Sequence, residues 1–268
     1  MKFCSKPFEQ VHLDPGGGVR VCSWTDESIG NVLHEDLEVI WHGEKANKIR
    51  KSILDGSYLY CRAVSCPYLE NDSLPDLDGK ELEKAVKIGY APSKYSVACD
   101  FTCNHSCPSC RDGIFCGTDD YRKNLKRELD LLLPYLNKAS HIITCGNGDV
   151  FSSPLMMEML EKLERRKKII RILKGQLSNH SVEMYYQPIY SVGTGQFLYA
   201  ESLMRMNHTS IGPVYPNEFI PIAEETGLII ELTYVILDEV CKYINRLIEK
   251  GLPMEAIHAV SYTHLTLP

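Results

Sequence analysis

Tyr95-Ser-Val-Ala-Cys-Asp-Phe101 runs through Thr102 into Cys103-Asn-His-Ser-Cys107-Pro-Ser-Cys110-Arg111, and this junction decides how the middle of the chain folds. The first half is apolar and uncharged until Asp100, as expected of a buried strand. The second half is a C-x3-C-x2-C loop. Iron–sulfur clusters are usually held by four thiolates, so three cysteines this close suit a four-iron cluster with one iron left open. A zinc site that borrows His105 is the competing reading.

Downstream of the loop the pattern turns helical. Leu125, Leu129, Leu132, Leu133 and Leu136 share one face of a helix expected over about 121–137, which Pro134 should end or kink. A second strand, His141-Ile-Ile-Thr-Cys-Gly146, leads into Gly146-Asn-Gly-Asp149 and a helix from about Pro154. Strand–helix–strand order implies parallel pairing, with function at the carboxyl ends of the strands. The cysteine loop and the glycine turn both lie at that end, where glycine lets backbone approach a ligand closely.

Upstream, residues 1–90 form a small cysteine-rich α+β region. The run His12-Leu-Asp-Pro-Gly-Gly-Gly-Val-Arg-Val-Cys22 predicts a hairpin, and Leu37 to Ile53 predicts a helix. Cys4, Cys22, Cys61 and Cys66 surround these elements and together can close a four-thiolate site. Both a cluster and a zinc ribbon satisfy that set, although the two tight C-x2-C knuckles of a ribbon are missing. Cys99, Cys145 and Cys241 fall in predicted elements as small buried residues, and Cys116 in a loop.

Composition bounds the rest. The 268 residues carry a net charge of −6, 44% hydrophobic and 24% charged residues, and 11 cysteines. That length suits about two domains, and no global basic field favours a nucleic acid polymer. No apolar stretch is long enough for a membrane span, and the N-terminus has no apolar signal core. So many cysteines without a secretion signal point to a reducing, cytoplasmic setting and to metal rather than disulfides. The basic run Glu164 to Gly175 is expected as a solvated helix face. Two strands follow, Glu183 to Tyr190 and Phe197 to Arg205, and then helices from a cap at Asn217 to about Gly251, interrupted at Gly227.

CNHSCPSCR after a strand, with a GxGD turn after the next, resembles the opening of a radical SAM enzyme. Cys4-Ser-Lys-Pro-Phe, the GGGVRVC hairpin, Ile29-Gly-Asn, the Trp41 helix and the late cysteine pair resemble a SPASM-type auxiliary-cluster region. The resemblance implies that Cys103, Cys107 and Cys110 hold a [4Fe-4S] cluster that binds S-adenosylmethionine. Gly146, Gly148 and Asp149 would contact the cofactor, and Cys4, Cys22, Cys61 and Cys66 would ligate a second cluster. A peptide or protein substrate is common in such families.

YYQPIYSVGTGQ, YAESLMR and PVYPNEFIPIAEETGLI resemble the start of an EAL domain, the cyclic di-GMP phosphodiesterase family. Glu201 falls on the first signature glutamate, which implies a ligand for Mg2+ or Mn2+. Gln187 and Arg205 match positions that contact the dinucleotide. The resemblances imply an α/β fold of two incomplete parallel β/α units, each a partial TIM barrel. The expected division is 1–90 cysteine-rich, 91–164 radical SAM, 165–260 EAL and 261–268 a foreign tail. Both barrels are expected to be short of strands, since a (β/α)8 fold takes about 250 residues. Ser261 stands where the EAL metal-binding asparagine would follow Val260, and the later catalytic residues of that family would lie past Pro268. On this expectation the radical SAM part is an inactive fragment, the alternatives being an EAL phosphodiesterase or binding fragment, or a chimeric reading frame without coherent activity.

Overall fold

The computed structural model describes residues 2–107, 110, 113–144, 147–252 and 256–259. These fall into two compact units, Met1–Leu163 and Glu164–Pro268. In the first, a single turn α1 (Lys6–Glu9) feeds strand β1 (Gln10–Leu13), and β2 (Gly18–Arg20) returns antiparallel to it. Gly16 and Gly17 make the turn at φ of 80° and 84°, a left-handed conformation that favours glycine. Strand β3 (Gly30–Asn31) extends the hairpin. The helix expected from Leu37 to Ile53 is two helices, α2 (Leu37–His42) and α3 (Glu44–Leu54). Gly43, with extended backbone, breaks the run between them. Short helices α4 (Pro67–Glu70) and α5 (Gly79–Ala85) follow.

Strand β4 is shorter than its apolar run, Lys94–Val97. The chain leaves the sheet because Asp100 folds its carboxylate back onto the Thr102 amide (2.9 Å) and hydroxyl (2.8 Å). Helix α6 (Asp119–Leu136) starts on a Thr118 side-chain cap. It runs through Pro134, which lies in the last turn and so forfeits only its own amide bond. Strand β5 (His141–Thr144) and a 3₁₀ turn (Val150–Ser152) lead to α7 (Pro154–Ser178).

The sheet order is β3-β2-β1-β4-β5. Strands β4 and β5 are parallel, as the strand–helix–strand order requires. Strand β1 is also parallel to β4, pairing Gln10 with Lys94 through Leu13 with Val97. The cysteine-rich hairpin and the βα units therefore share one sheet. Val11, Leu13, Tyr95 and Val97 face one core with Leu125, Leu129, Leu132, Met156 and Met159 of α6 and α7. Trp41 is fully buried there, its indole N–H donating to Gly89 O at 3.2 Å.

In the second unit, β6 (Glu183–Ser191) and β7 (Gln196–His208) form a long antiparallel pair. Strand β8 (Gly212–Val214) adds to β7, and helices α8 (Pro216–Glu225) and α9 (Ile229–Glu249) follow. Strand β9 (Ala256–Ala259) returns parallel to β7. Pro216 at the first helical position, after Tyr215, starts α8 in place of the expected Asn217 cap. Gly227, at φ 73°, separates α8 from α9 as expected. Met204, Met206, Phe219 and Leu232 pack with Ile169, Leu173 and Leu177 of α7. The basic run of α7 is only partly a solvated face. Arg165 pairs with Glu218, at 2.9 Å between its Nη2 and Oε2, and Arg166 pairs with Glu225 at 2.7 Å. The architecture is mixed α/β, and the described residues form no closed barrel. Among them no helix is long and apolar enough to cross a membrane.

Candidate functional site

Cys4, Cys22, Cys61 and Cys66 line one pocket. Each arrives on a different local device. Cys4 precedes α1, whose Pro7 carbonyl accepts from the buried Arg50 Nε at 2.8 Å. Arg50 stacks 4.1 Å over Trp41, and burial lowers its guanidinium to about 10. Cys22 ends the β2 hairpin, its carbonyl accepting from the Thr25 hydroxyl at 2.9 Å. Cys61 is held by its amide on Tyr58 O (2.8 Å) and by a bridge to Thr25. Cys66 occupies the position just before α4 and donates its amide to Arg62 O at 2.8 Å.

Burial raises the Cys4 and Cys22 thiols. It pushes Cys61 up to about 12, with repulsion from the Cys4, Cys22 and Cys66 sulfurs acting the same way. Without a cation these thiols keep their protons, and a metal centre must displace them. No three of the described His, Cys, Asp or Glu side chains converge closely enough for a single metal ion. A zinc ion needs every sulfur about 2.3 Å from one point, whereas a four-iron cluster takes one thiolate on each iron.

The C-x3-C-x2-C loop lies at the other end of the sheet. Cys103 is buried and exchanges backbone hydrogen bonds with Phe115, while Cys107 and Cys110 are exposed. The Cys110 amide donates to Cys107 O at 2.9 Å, and the His105 amide points at the Cys103 sulfur. The glycine turn is fastened to this loop. Asp149 N donates to Thr102 O at 2.8 Å and the Asn147 amide to Ala98 O at 2.8 Å. A Cβ at Gly148 would sit 2.5 Å from Thr102 O and 2.7 Å from Asp100 O, so only glycine fits. The Asp149 carboxylate accepts from Ser152 Oγ (2.5 Å) and caps the 3₁₀ turn, and these bonds lower its pKa. Gly146 and Cys145 lie outside the described residues.

In the second unit, Gln187 on β6 lies directly opposite Glu201 on β7. His258 on β9 flanks Glu201 from the other side. Arg205 lies two strand repeats along the same face, opposite Glu183. Its guanidinium is 5.8 Å from the Tyr185 ring and donates to Met204 O at 3.0 Å. The alternate β7 residues Ala200, Ser202, Met204 and Met206 are buried on the opposite face. The register thus gathers the three predicted polar residues on the uncovered face.

Sequence reasoning missed several neighbours of these sites. Lys6 and Trp24 line the four-cysteine pocket, and His258 stands beside Glu201. Glu128 is buried under the Gly16–Gly17 turn. The helical pattern of α6 shows Glu128 at a core-facing position, three residues after Leu125, which was the available signal. Of the cysteines predicted to be core residues, Cys99 is buried, but Cys241 is exposed on α9.

Comparison with known families agrees with two of these places. Residues 4–67 match the SPASM iron–sulfur cluster-binding domain and residues 170–265 match the EAL domain. Oxygen sensor protein DosP of Escherichia coli is 33% identical over 123 residues, 45% of this chain and 15% of that protein. The bifunctional diguanylate cyclase/cyclic di-GMP phosphodiesterase MucR of Pseudomonas aeruginosa is 29% identical over 38% of this chain and 14% of its own length. Cyclic di-GMP phosphodiesterase NbdA of the same organism is 30% identical over 38% of this chain and 13% of its own. The chain thus spans about one-seventh of the length of these relatives. Its first unit is similar over residues 4–67 to an iron–sulfur cluster-binding SPASM domain, and its second over residues 170–265 to an EAL domain.

Proposed function

We propose that the second unit is a cyclic di-GMP-binding module of EAL type that holds a divalent cation. The observation that supports this most is the register that sets Gln187 opposite Glu201 with Arg205 on the same face. A carboxylate is a suitable ligand for a hard cation such as Mg2+ or Mn2+. The Arg205 guanidinium is a bidentate donor to phosphate, and Gln187 offers an amide to the dinucleotide. Titration of the full chain with cyclic di-GMP and Mn2+ tests the proposal. Saturable, Mn2+-dependent binding is expected, weakened about tenfold or more by Glu201→Gln. No binding by the folded wild-type chain would refute it.

The first unit is proposed to hold a [4Fe-4S] cluster on Cys4, Cys22, Cys61 and Cys66, supported by all four lining one pocket. Cys103, Cys107 and Cys110 are proposed to hold a second, three-ligand cluster. That cluster's open iron would take S-adenosylmethionine, as in radical SAM enzymes, with a peptide or protein as substrate. The fastening of Gly148 against Thr102 and Asp100 supports a cofactor site shared by loop and turn. S-adenosylmethionine retained by the iron-loaded chain, and lost in Cys107→Ser, is the expected result.

A further inference from the structure

The Lys6 ammonium stands 4.9 Å from the centre of the Trp24 ring and 5.6 Å from that of Tyr68. Lys6 lines the pocket that Cys4, Cys22, Cys61 and Cys66 share, and among the described residues lining it Lys6 is the one charged side chain. Glu9, the nearest carboxylate in sequence, is engaged by Lys94 at 2.9 Å. Arg20, the other cation acting on Cys22, is gripped by both oxygens of Asp14. Its charge is therefore cancelled locally, whereas Lys6 has no carboxylate partner among the described residues.

We propose that Lys6 is the fixed counter-charge of the four-cysteine centre and sets how readily a bound cluster takes up an electron. The inference rests on the reading of that pocket as a cluster site. Four thiolates around an iron–sulfur core leave a net negative charge, and reduction adds to it. A cation held nearby in a poorly solvated pocket stabilises the added charge. Aromatic faces can hold an ammonium in place without supplying the anion that would neutralise it. Hydrogen bonding, net charge and exposure around the sulfurs are the protein's means of moving a cluster potential. Lys6 supplies the charge among these.

The test uses the full chain carrying Cys107→Ser and Cys110→Ser, so that only the four-cysteine centre reports. It is loaded anaerobically with iron and sulfide, then titrated potentiometrically under visible absorption and electron paramagnetic resonance. Lys6→Met keeps the apolar stem and removes the charge, and Lys6→Arg keeps the charge. The expected result is a Lys6→Met midpoint lower by about 59 mV, tenfold less reduced cluster at a given potential, with Lys6→Arg close to the parent. Loss of iron in Lys6→Met but not in Lys6→Arg also supports the charge. Equal potentials at equal iron content would overturn the role of Lys6 and leave the cluster reading standing. Loss of iron in both variants would mark a packing role and overturn it too. A parent that holds no iron, or iron indifferent to Cys61→Ser, would overturn the cluster reading and this inference with it.

Discussion

Glu128 is 1% exposed beside the Gly16 and Gly17 amides and the Cys99 thiol, and its Oε1 has no hydrogen-bond partner among the described residues. Burial is the main reason its pKa rises from the ordinary 4.5 to about 8, and the nearby Asp14 carboxylate adds to the rise. Its folded value lies above its unfolded one, so the bound proton favours the folded chain. That stabilisation is complete below about pH 4.5 and is lost as pH rises to about 8. Thermal unfolding between pH 5 and 9 should therefore show a falling Tm that Glu128→Gln flattens, since glutamine keeps the size of the side chain and removes the titrating group. Asp14 shows the opposite balance. Burial opposes its charge, but hydrogen bonds from His12 and Arg20 outweigh it and hold the carboxyl at about 2. The cysteine sets could be read from residue type and spacing, and Glu201 only from the resemblance of its strand to the EAL signature. Glu128 could not, because a carboxylate inside a helical pattern gains its role only from the turn packed over it.

Among the elements, α7 shows how a charge run acquires a function in the fold. Its apolar stripe, Ile169, Leu173 and Leu177, packs into the core of the second unit. Arg165 and Arg166 reach Glu218 and Glu225 on α8, and Arg165 also donates to Ile211 O at 3.1 Å. The Arg165 and Glu218 side chains are 39% and 32% exposed, so water screens the pair. Glu218→Ala should lower the stability of the second unit by about 1 kcal/mol, read from denaturant unfolding with Glu249→Ala as a solvated control. The helix itself was legible from its period. Its arginine partners were not, since they lie 53 and 59 residues away and depend on how α8 folds back. The split between α2 and α3 was missed for a different reason. Apolar spacing continues across Gly43, and only the extended backbone there shows the break.

For the whole first unit, the direction of β1 is decisive. It runs parallel to β4, so Cys4 and Cys22 lie at the start of that strand pair while Cys103 follows its end. The two cysteine sets are separated by at least the length of β4, about 10 Å at the rise of a strand. They should load independently. Cys61→Ser and Cys107→Ser are each expected to remove about four irons per chain, and the double variant the sum, by iron assay with visible absorption. A single loss shared by both variants would indicate one joint centre. In the second unit, the uncovered sheet face carries Gln187, Glu201 and Arg205 together, as the period of a strand and the β6–β7 register require. The amino-acid sequence by itself determined the cysteine sets, the βα order and the EAL strings, because ligand chemistry and periodicity are local properties of residue type. Only the tertiary structure decided that the cysteine-rich hairpin joins the parallel sheet. It alone placed Lys6 among four thiols and His258 beside Glu201. Strand partners far apart in the chain are chosen by which edges and apolar faces bury each other, and no local pattern encodes that choice.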